Sequence, residues 1–205
     1  MSEYDSFIEV PFGNRHQCWF CAEPAASHFT FPHQEHPTLT VPSCSECANA
    51  ALKAKVRNIW QVEQHVKKYL MKKYKKDLAI GLNWTREELA NSGFEGGSFS
   101  GFQKSAWFMY EVAKGRVNFC GWPLVLDGIE IEKDNISDSF TFDGVAYPSI
   151  EEAIESYSEN FRLDAMFLRQ ILAKIGQEKF AQAVRVCRLY IAATPAEKSR
   201  ALRDF

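Results

Sequence analysis

The sequence predicts an α+β fold, and three observations predict it. Two Cys-x-x-Cys pairs lie in a loop-rich first segment. A stretch with helical apolar spacing follows them. Farther on, short strand-like runs joined by Asp-Gly alternate with segments opened by helix-capping residues. The expected architecture is a four-cysteine metal module, a long basic helix, a mixed middle region with small β-hairpins and a helical C-terminal module. The expected divisions are 1–77, 78–133 and 134–205.

The elements follow in order. About 45–77 reads as one long helix, because Val56, Ile59, Trp60, Val66, Tyr69, Leu70 and Tyr74 recur mostly at three- and four-residue steps. Thr85 and Glu88 form a capping box that should start a short helix. Gly93 to Gly101 reads as a loop. A helix over about 102–114 should then stop at Gly115. Asp127-Gly128 lies between two apolar runs and signals a hairpin. The polar stretch from Lys133 to Asp138 is the linker candidate. Phe140 to Tyr147, around Asp143-Gly144, reads as a second small hairpin. Ser149 and Glu152 form another capping box, and helices should cover 150–159, 164–174 and 178–192. Thr194 and Pro195 open a last helix.

Composition sets limits. With 46% hydrophobic and 14% aromatic residues in a chain of 205, a packed core is feasible. A formal net charge of −2 says nothing for or against nucleic acid, so any basic footprint must be local. No run approaches the roughly 18 apolar residues that cross a bilayer. The acidic start, MSEYDSFIEVPFGN, lacks a secretory pattern. A cytoplasmic protein with no membrane partner is therefore expected. Its six cysteines should be reduced, with Cys120 and Cys187 as small buried hydrophobes.

The metal site is the strongest motif. Cys18-Trp19-Phe20-Cys21 and Cys44-Ser45-Glu46-Cys47 are separated by 22 residues. Each Cys-x-x-Cys turn points two sulfurs at one tetrahedral ion, and two turns complete a closed set of four thiolates. A structural zinc ion on Cys18, Cys21, Cys44 and Cys47 is the expectation, against the alternative of redox Cys-x-x-Cys chemistry. The second pair precedes a helix-favouring run from Ala48 to Lys53. A knuckle, a hairpin and a Cys pair at a helix N-terminus resemble a treble clef.

A four-cysteine treble clef around a histidine-bearing hairpin resembles the zinc-containing HNH endonucleases. That resemblance covers about residues 16–53 and implies His28 as the water-activating residue. The family's first motif places an acid before the histidine and a proline three residues after it. Here Ser27 precedes His28, and Pro32 is one residue farther on. Ala48 stands where the family commonly has Asn or His. His28, His33 and His36 also read as plain loop histidines.

Between Lys53 and Lys76 lie nine bases, including Lys67, Lys68, Lys72 and Lys75, and one acid, Glu63. The stretch carries +8, so the rest of the chain carries −10. Such density can neutralise several phosphates. Its plainer reading is a solvated face.

Phe142 to Ile154, a glycine hairpin followed by an aromatic and Ser-Ile-x-Glu-Ala, resembles the modular helix-turn-helix units appended to phage and homing-type HNH nucleases. The resemblance implies that Asp164 to Lys174 is a major-groove helix. Met166, Phe167, Leu168, Ile171 and Leu172 would then pack inward, and Arg169, Gln170 and Lys174 would meet DNA. The turn from Ser156 to Leu163 looks longer than such units have, and Glu151, Glu152 and Glu155 would repel phosphate. A structural helical tail is the other reading of this segment.

The expected function is a zinc-stabilised, cytosolic DNA-binding protein of bacterial or phage type. An HNH-like nuclease with a divergent active site and a protein–protein adaptor are the alternatives. The adaptor would use the aromatics Trp84, Phe94, Phe99, Phe102, Trp107, Phe108 and Trp122, which otherwise read as core.

Overall fold

Alternation of exposed and buried side chains builds the first sheet. The computed structural model describes residues 8–32, 37–92, 97–133 and 139–205. In it, β1 (Ser27–Phe31) buries Phe29 and Phe31 and exposes Ser27, His28 and Thr30. It pairs antiparallel with β2 (Leu39–Ser43), setting Phe29 opposite Val41 and Phe31 opposite Leu39. The Thr30 and Thr40 hydroxyls meet across the strands at 3.0 Å. All of β2 is buried.

The single long helix expected over 45–77 is three helices: α1 (Ser45–Ala51), α2 (Ile59–Lys73) and α3 (Lys75–Asn83). The first break has a local cause. The amides of Lys53 and Ala54 bond three residues back, which tightens and ends α1. Asn58 then adopts an extended conformation and accepts the Gln61 amide at 2.9 Å, capping α2. The Gln61 side chain in turn accepts the Arg57 amide at 2.9 Å. At the second break Tyr74 leaves helical geometry, with ψ at 17°. The buried stripe of α2 is Ile59, Trp60, Val62, Glu63, Val66, Lys67, Leu70 and Met71.

The predicted capping box opens α4 (Arg86–Ala90), with both Thr85–Glu88 bonds present. α5 spans Gly97–Asn118, so residues 97–101 and Gly115 are helical. The expected stop at Gly115 fails because Ala113, Arg116 and Val117, on either side of it, are buried. Tertiary packing outweighs the roughly 1 kcal/mol that glycine costs in a helix. Residues 93–96 of the expected loop lie outside the described residues. β3 (Val125–Leu126) and β4 (Ile129–Glu130) form the predicted hairpin. Asp127 and Gly128 both adopt positive φ, 50° and 77°, as a type I′ turn requires.

The chain divides into two compact units, Met1–Asp138 with Asp143–Ala146, and Ser139–Phe142 with Tyr147–Phe205. The first takes in both the cysteine-bearing segment and the middle segment. Most of the linker candidate, residues 134–138, lies outside the described residues. A third hairpin, β5 (Phe140–Phe142) and β6 (Val145–Tyr147), turns at Asp143 and Gly144, again with both φ positive.

Apart from β5, the second unit is built of helices: α6 (Ile150–Phe161), α7 (Ala165–Ile175), α8 (Phe180–Leu189) and α9 (Pro195–Ala201). Phe142, Tyr157 and Phe180 form its aromatic centre, with ring centroids 4.8 to 5.3 Å apart. The long turn expected before Asp164 is not found. α6 runs to Phe161, Arg162 reverses the chain at φ 55°, and Asp164 caps α7 by accepting the Phe167 amide at 3.1 Å. Met166, expected inside, is 64% exposed. Among the described residues no helix is long and apolar enough to cross a membrane.

A methyl group on Gly81 of α3 would land on the Tyr110 ring of α5. Gly81→Ala should therefore destabilise the chain by about 1–3 kcal/mol in urea melts. Alanine's better helix propensity works the other way, by about 1 kcal/mol. A net gain in stability would show that the ring moves aside.

Candidate metal centre and basic surface

The first cysteine pair sits on a tight knuckle. Cys18 donates its amide to Glu23 at 2.7 Å, and the amides of Cys21 and Ala22 return to the Cys18 carbonyl at 3.3 and 2.9 Å. Ala22 takes positive φ, 61°, to close the turn. The residues between these cysteines, Trp19 and Phe20, are fully buried. The knuckle is tied to the sheet by the Trp19 amide, which donates to the Pro42 carbonyl at 2.9 Å. The second pair starts α1. Cys44 is its N-cap, and its sulfur accepts the Cys47 amide at 3.4 Å.

The four sulfurs all lie within 4.8 Å of one another, and the Cys21 and Cys44 sulfurs are 3.8 Å apart. That is far beyond a disulfide bond. It matches the edge of a tetrahedron whose metal–sulfur distance is about 2.3 Å, an edge of about 3.8 Å. Cys18, Cys21 and Cys47 are buried and Cys44 is half-buried. The donor set can therefore hold a metal ion, and its closure leaves no position for substrate. Crowding separates the thiols. Hydrogen bonds from Cys18, Cys21 and Cys47 hold Cys44 far below the usual thiol range. The Cys18 thiol brings Cys21 to about 7. The same bonds push Cys18 and Cys47 up. Four thiols this close become four thiolates only with a cation among them.

A polar layer surrounds this group. Arg116 of α5 is 7% exposed; its Nη2 donates to Glu46 at 2.7 Å and faces the Cys21 sulfur at 3.6 Å. Its other terminal nitrogen donates to the Tyr74 hydroxyl. Tyr74 donates to Glu46 at 3.0 Å, and Lys73 pairs with Glu46 at 2.6 Å. Burial opposes ionisation of Glu46, but hydrogen bonds from Lys73, Arg116 and Tyr74 outweigh it and hold the carboxyl below its ordinary range. The chain after α5 closes over the knuckle. The Trp19 indole donates to the Trp122 carbonyl at 2.9 Å, and Gly121 lies against that indole.

Lys67 is the main correction to the expected surface. It is 9% exposed, and its ammonium donates to the carbonyls of Phe20 at 2.9 Å, Arg116 at 3.1 Å and Phe119. It satisfies the open carbonyl end of α5 and holds the knuckle against it. A residue so placed is not available to phosphate. Burial lowers its pKa, partly offset by Glu63. The other eight bases between Lys53 and Lys76 are exposed, and Lys68 and Lys72 stand one turn apart on α2. Lys75 follows at the start of α3.

In the second unit Arg169 is half-buried and pairs with Glu151 at 2.8 Å, while Gln170 and Lys174 are exposed. His28 is exposed on β1 opposite Pro42. Among the described residues the four cysteines are the one group of three or more His, Cys, Asp or Glu residues that could hold a metal, so His28 belongs to no such group. His33 and His36 lie outside the described residues. Cys120, expected to be buried, is exposed, and Cys187 is buried. Of the aromatics weighed as an interface, Trp122 is core, Trp84 and Phe108 are 40% and 64% exposed, and Phe94 is outside the described residues. No protein family, curated protein or solved structure matches this chain.

Purified without chelators, the protein should carry about one metal ion per chain, and a strong chelator should lower its melting temperature. Metal-free protein with an unchanged melt would remove the centre. Lys67→Ala should act on stability, not on ligand binding. It leaves buried carbonyls without their charged donor and should cost about 2–4 kcal/mol. A stable variant with weakened nucleic-acid binding would return Lys67 to the surface set.

Proposed function

We propose that this chain is a zinc-stabilised DNA-binding protein of bacterial or phage type, with a treble clef as its metal module. The observation that carries this reading is the basic surface: eight exposed bases between Lys53 and Lys76, on a chain whose net charge is −2. The one acid in that stretch, Glu63, is buried and pairs with Lys133 at 3.4 Å, so it does little to dilute the outer charge. Positive charge concentrated on one segment releases counterions when it meets a phosphate backbone.

Zinc is the ion of choice for a closed set of four thiolates. The order knuckle, hairpin, Cys pair at a helix start is the order of a treble clef, and α1 with its Cys44 cap supplies the last part. In the second unit, the three-residue connection from α6 to α7 supports a helix-turn-helix reading. There Gln170 and Lys174 are the side chains free to reach a base edge, and Arg169 must first leave Glu151.

Fluorescence anisotropy with duplex DNA at several salt concentrations tests the reading. Replacing Lys68, Lys72 and Lys75 with Ala should weaken binding to all sequences alike. The log–log salt slope should fall by about one unit for each phosphate that is no longer neutralised. An unchanged affinity and slope in a folded, metal-loaded triple variant would leave the basic stretch as a solvated face. Adding Mg2+ to the same assay with plasmid DNA reads out cleavage, the outcome that would favour a nuclease built on His28.

A further inference from the structure

Two buried cations lie beside the four-cysteine cluster: Arg116, which no motif singled out, and Lys67, expected on the basic surface. Arg116 lies 3.6 Å from the Cys21 sulfur, and Lys67 binds the Phe20 carbonyl, next to Cys21, at 2.9 Å. Both are at least nine-tenths buried. The acids beside them bring two further cations: Glu46 is shared by Arg116 at 2.7 Å and Lys73 at 2.6 Å, and Glu63 pairs with Lys133 at 3.4 Å, so the charges of Glu46 and Glu63 are offset by those of Lys73 and Lys133. Four thiolates and a divalent ion leave two negative charges at the centre. Arg116 and Lys67 supply two positive ones.

We propose that Arg116, with Lys67, is the charge partner of the four-cysteine centre and makes it selective for a divalent ion. This rests on the reading of the four cysteines as a metal site. With a divalent ion the buried group is neutral. With a trivalent ion it carries an uncompensated positive charge, and with a monovalent ion a negative one. An uncompensated charge is costly where water is excluded, so neutrality selects among ions that fit the same sulfur geometry. Arg116 is a positioning residue: it touches a ligand sulfur and not the ion. Its side chain also explains why Glu46 and Tyr74 gather at this point, since together they fix the guanidinium over Cys21.

The test compares wild type, Arg116→Gln and Arg116→Lys by competition for Zn2+ against a chromogenic chelator. It also measures the Fe3+/Fe2+ reduction potential of the iron-loaded forms. Arg116→Gln should lose 10–100-fold in Zn2+ affinity, the range for an outer-sphere partner of a metal ligand. Its iron potential should fall, because removing a positive charge favours the trivalent ion. Arg116→Lys keeps the charge and should restore most of both. A purely structural strut would not move the potential and would not be rescued by lysine. Unchanged affinity and potential in a folded Arg116→Gln variant overturn the proposal while leaving the metal site intact. If that variant does not fold, Arg116→Lys against wild type decides: near wild-type values support the proposal, and a tenfold loss overturns it. Failure of the wild type to take up any metal overturns the underlying site as well.

Discussion

Four sulfurs from two stretches of chain must meet within 4.8 Å, and much of the first unit is arranged by that requirement. The two pairs are not equivalent in what they bring with them. Cys18 and Cys21 enclose Trp19 and Phe20, which are among the largest fully buried side chains. Trp19 packs on Trp60 of α2 at 5.7 Å, and Phe20 on Phe29 of β1 at 5.9 Å. The knuckle is thus a plug in the hydrophobic core as well as half of a four-cysteine cluster that can hold a metal ion. Cys44 and Cys47 enclose Ser45 and Glu46 and face the polar layer instead. Metal binding free energy acts as folding free energy in such a module, because the unfolded chain holds no preformed site. Anything that displaces the knuckle also disturbs the aromatic packing of α2 and the sheet.

The same geometry divides the chain's positive charge into an inner and an outer set. Lys67 and Lys68 are neighbours in sequence with opposite fates. Lys67 points into the core, where three carbonyls replace the water it gives up. Lys68 faces outward. A helix offers this choice at every step of about 100°, and the apolar stripe decides it. The inner set stabilises the fold whatever the salt concentration, because buried interactions are weakly screened. The outer set is the part that salt can weaken, and so the part available to a polyanion.

What was legible in the sequence was local. The paired cysteines, the Thr85 capping box, the helix start at Thr194 and Pro195 and the Asp-Gly turns at 127 and 143 each specify their structure within a few residues. Two further signals were present and misread. Asn58 followed three residues later by Gln61 marks a helix start, and it breaks the long helix that periodicity alone implies. Lys67 and Glu63 fall in register with Trp60, Val66 and Leu70, so the spacing already placed them on the buried stripe. Charge alone favours the surface for Lys67, while its position on the stripe favours the core. The polar layer was not legible at all. Arg116 reaches Glu46 across 70 residues, and no spacing rule connects a helix end to the middle of a Cys-x-x-Cys turn. Gly115 misled for a related reason: the stop signal is local, while the burial of Arg116 and Val117 that overrides it is tertiary.

The second unit sets a different balance between charge and shape. α7 buries Phe167, Leu168, Ile171 and Leu172 and leaves Met166, Gln170 and Lys174 outside. Arg169, the side chain best suited to guanine, is held by Glu151 at 2.8 Å on the edge of this face. Arg169 is half-buried and Glu151 exposed, and a pair open to water on one side is worth little and breaks readily. The carboxylate is therefore a weak lock that a bidentate acceptor in a groove could open. It also raises a barrier against loose phosphates, since Glu151 repels them while Arg169 is engaged. On the DNA-binding reading, that arrangement would favour close contact with a base edge over attraction from a distance. The long-range attraction would fall to the exposed bases of residues 53–76, a stretch whose one acid, Glu63, is buried.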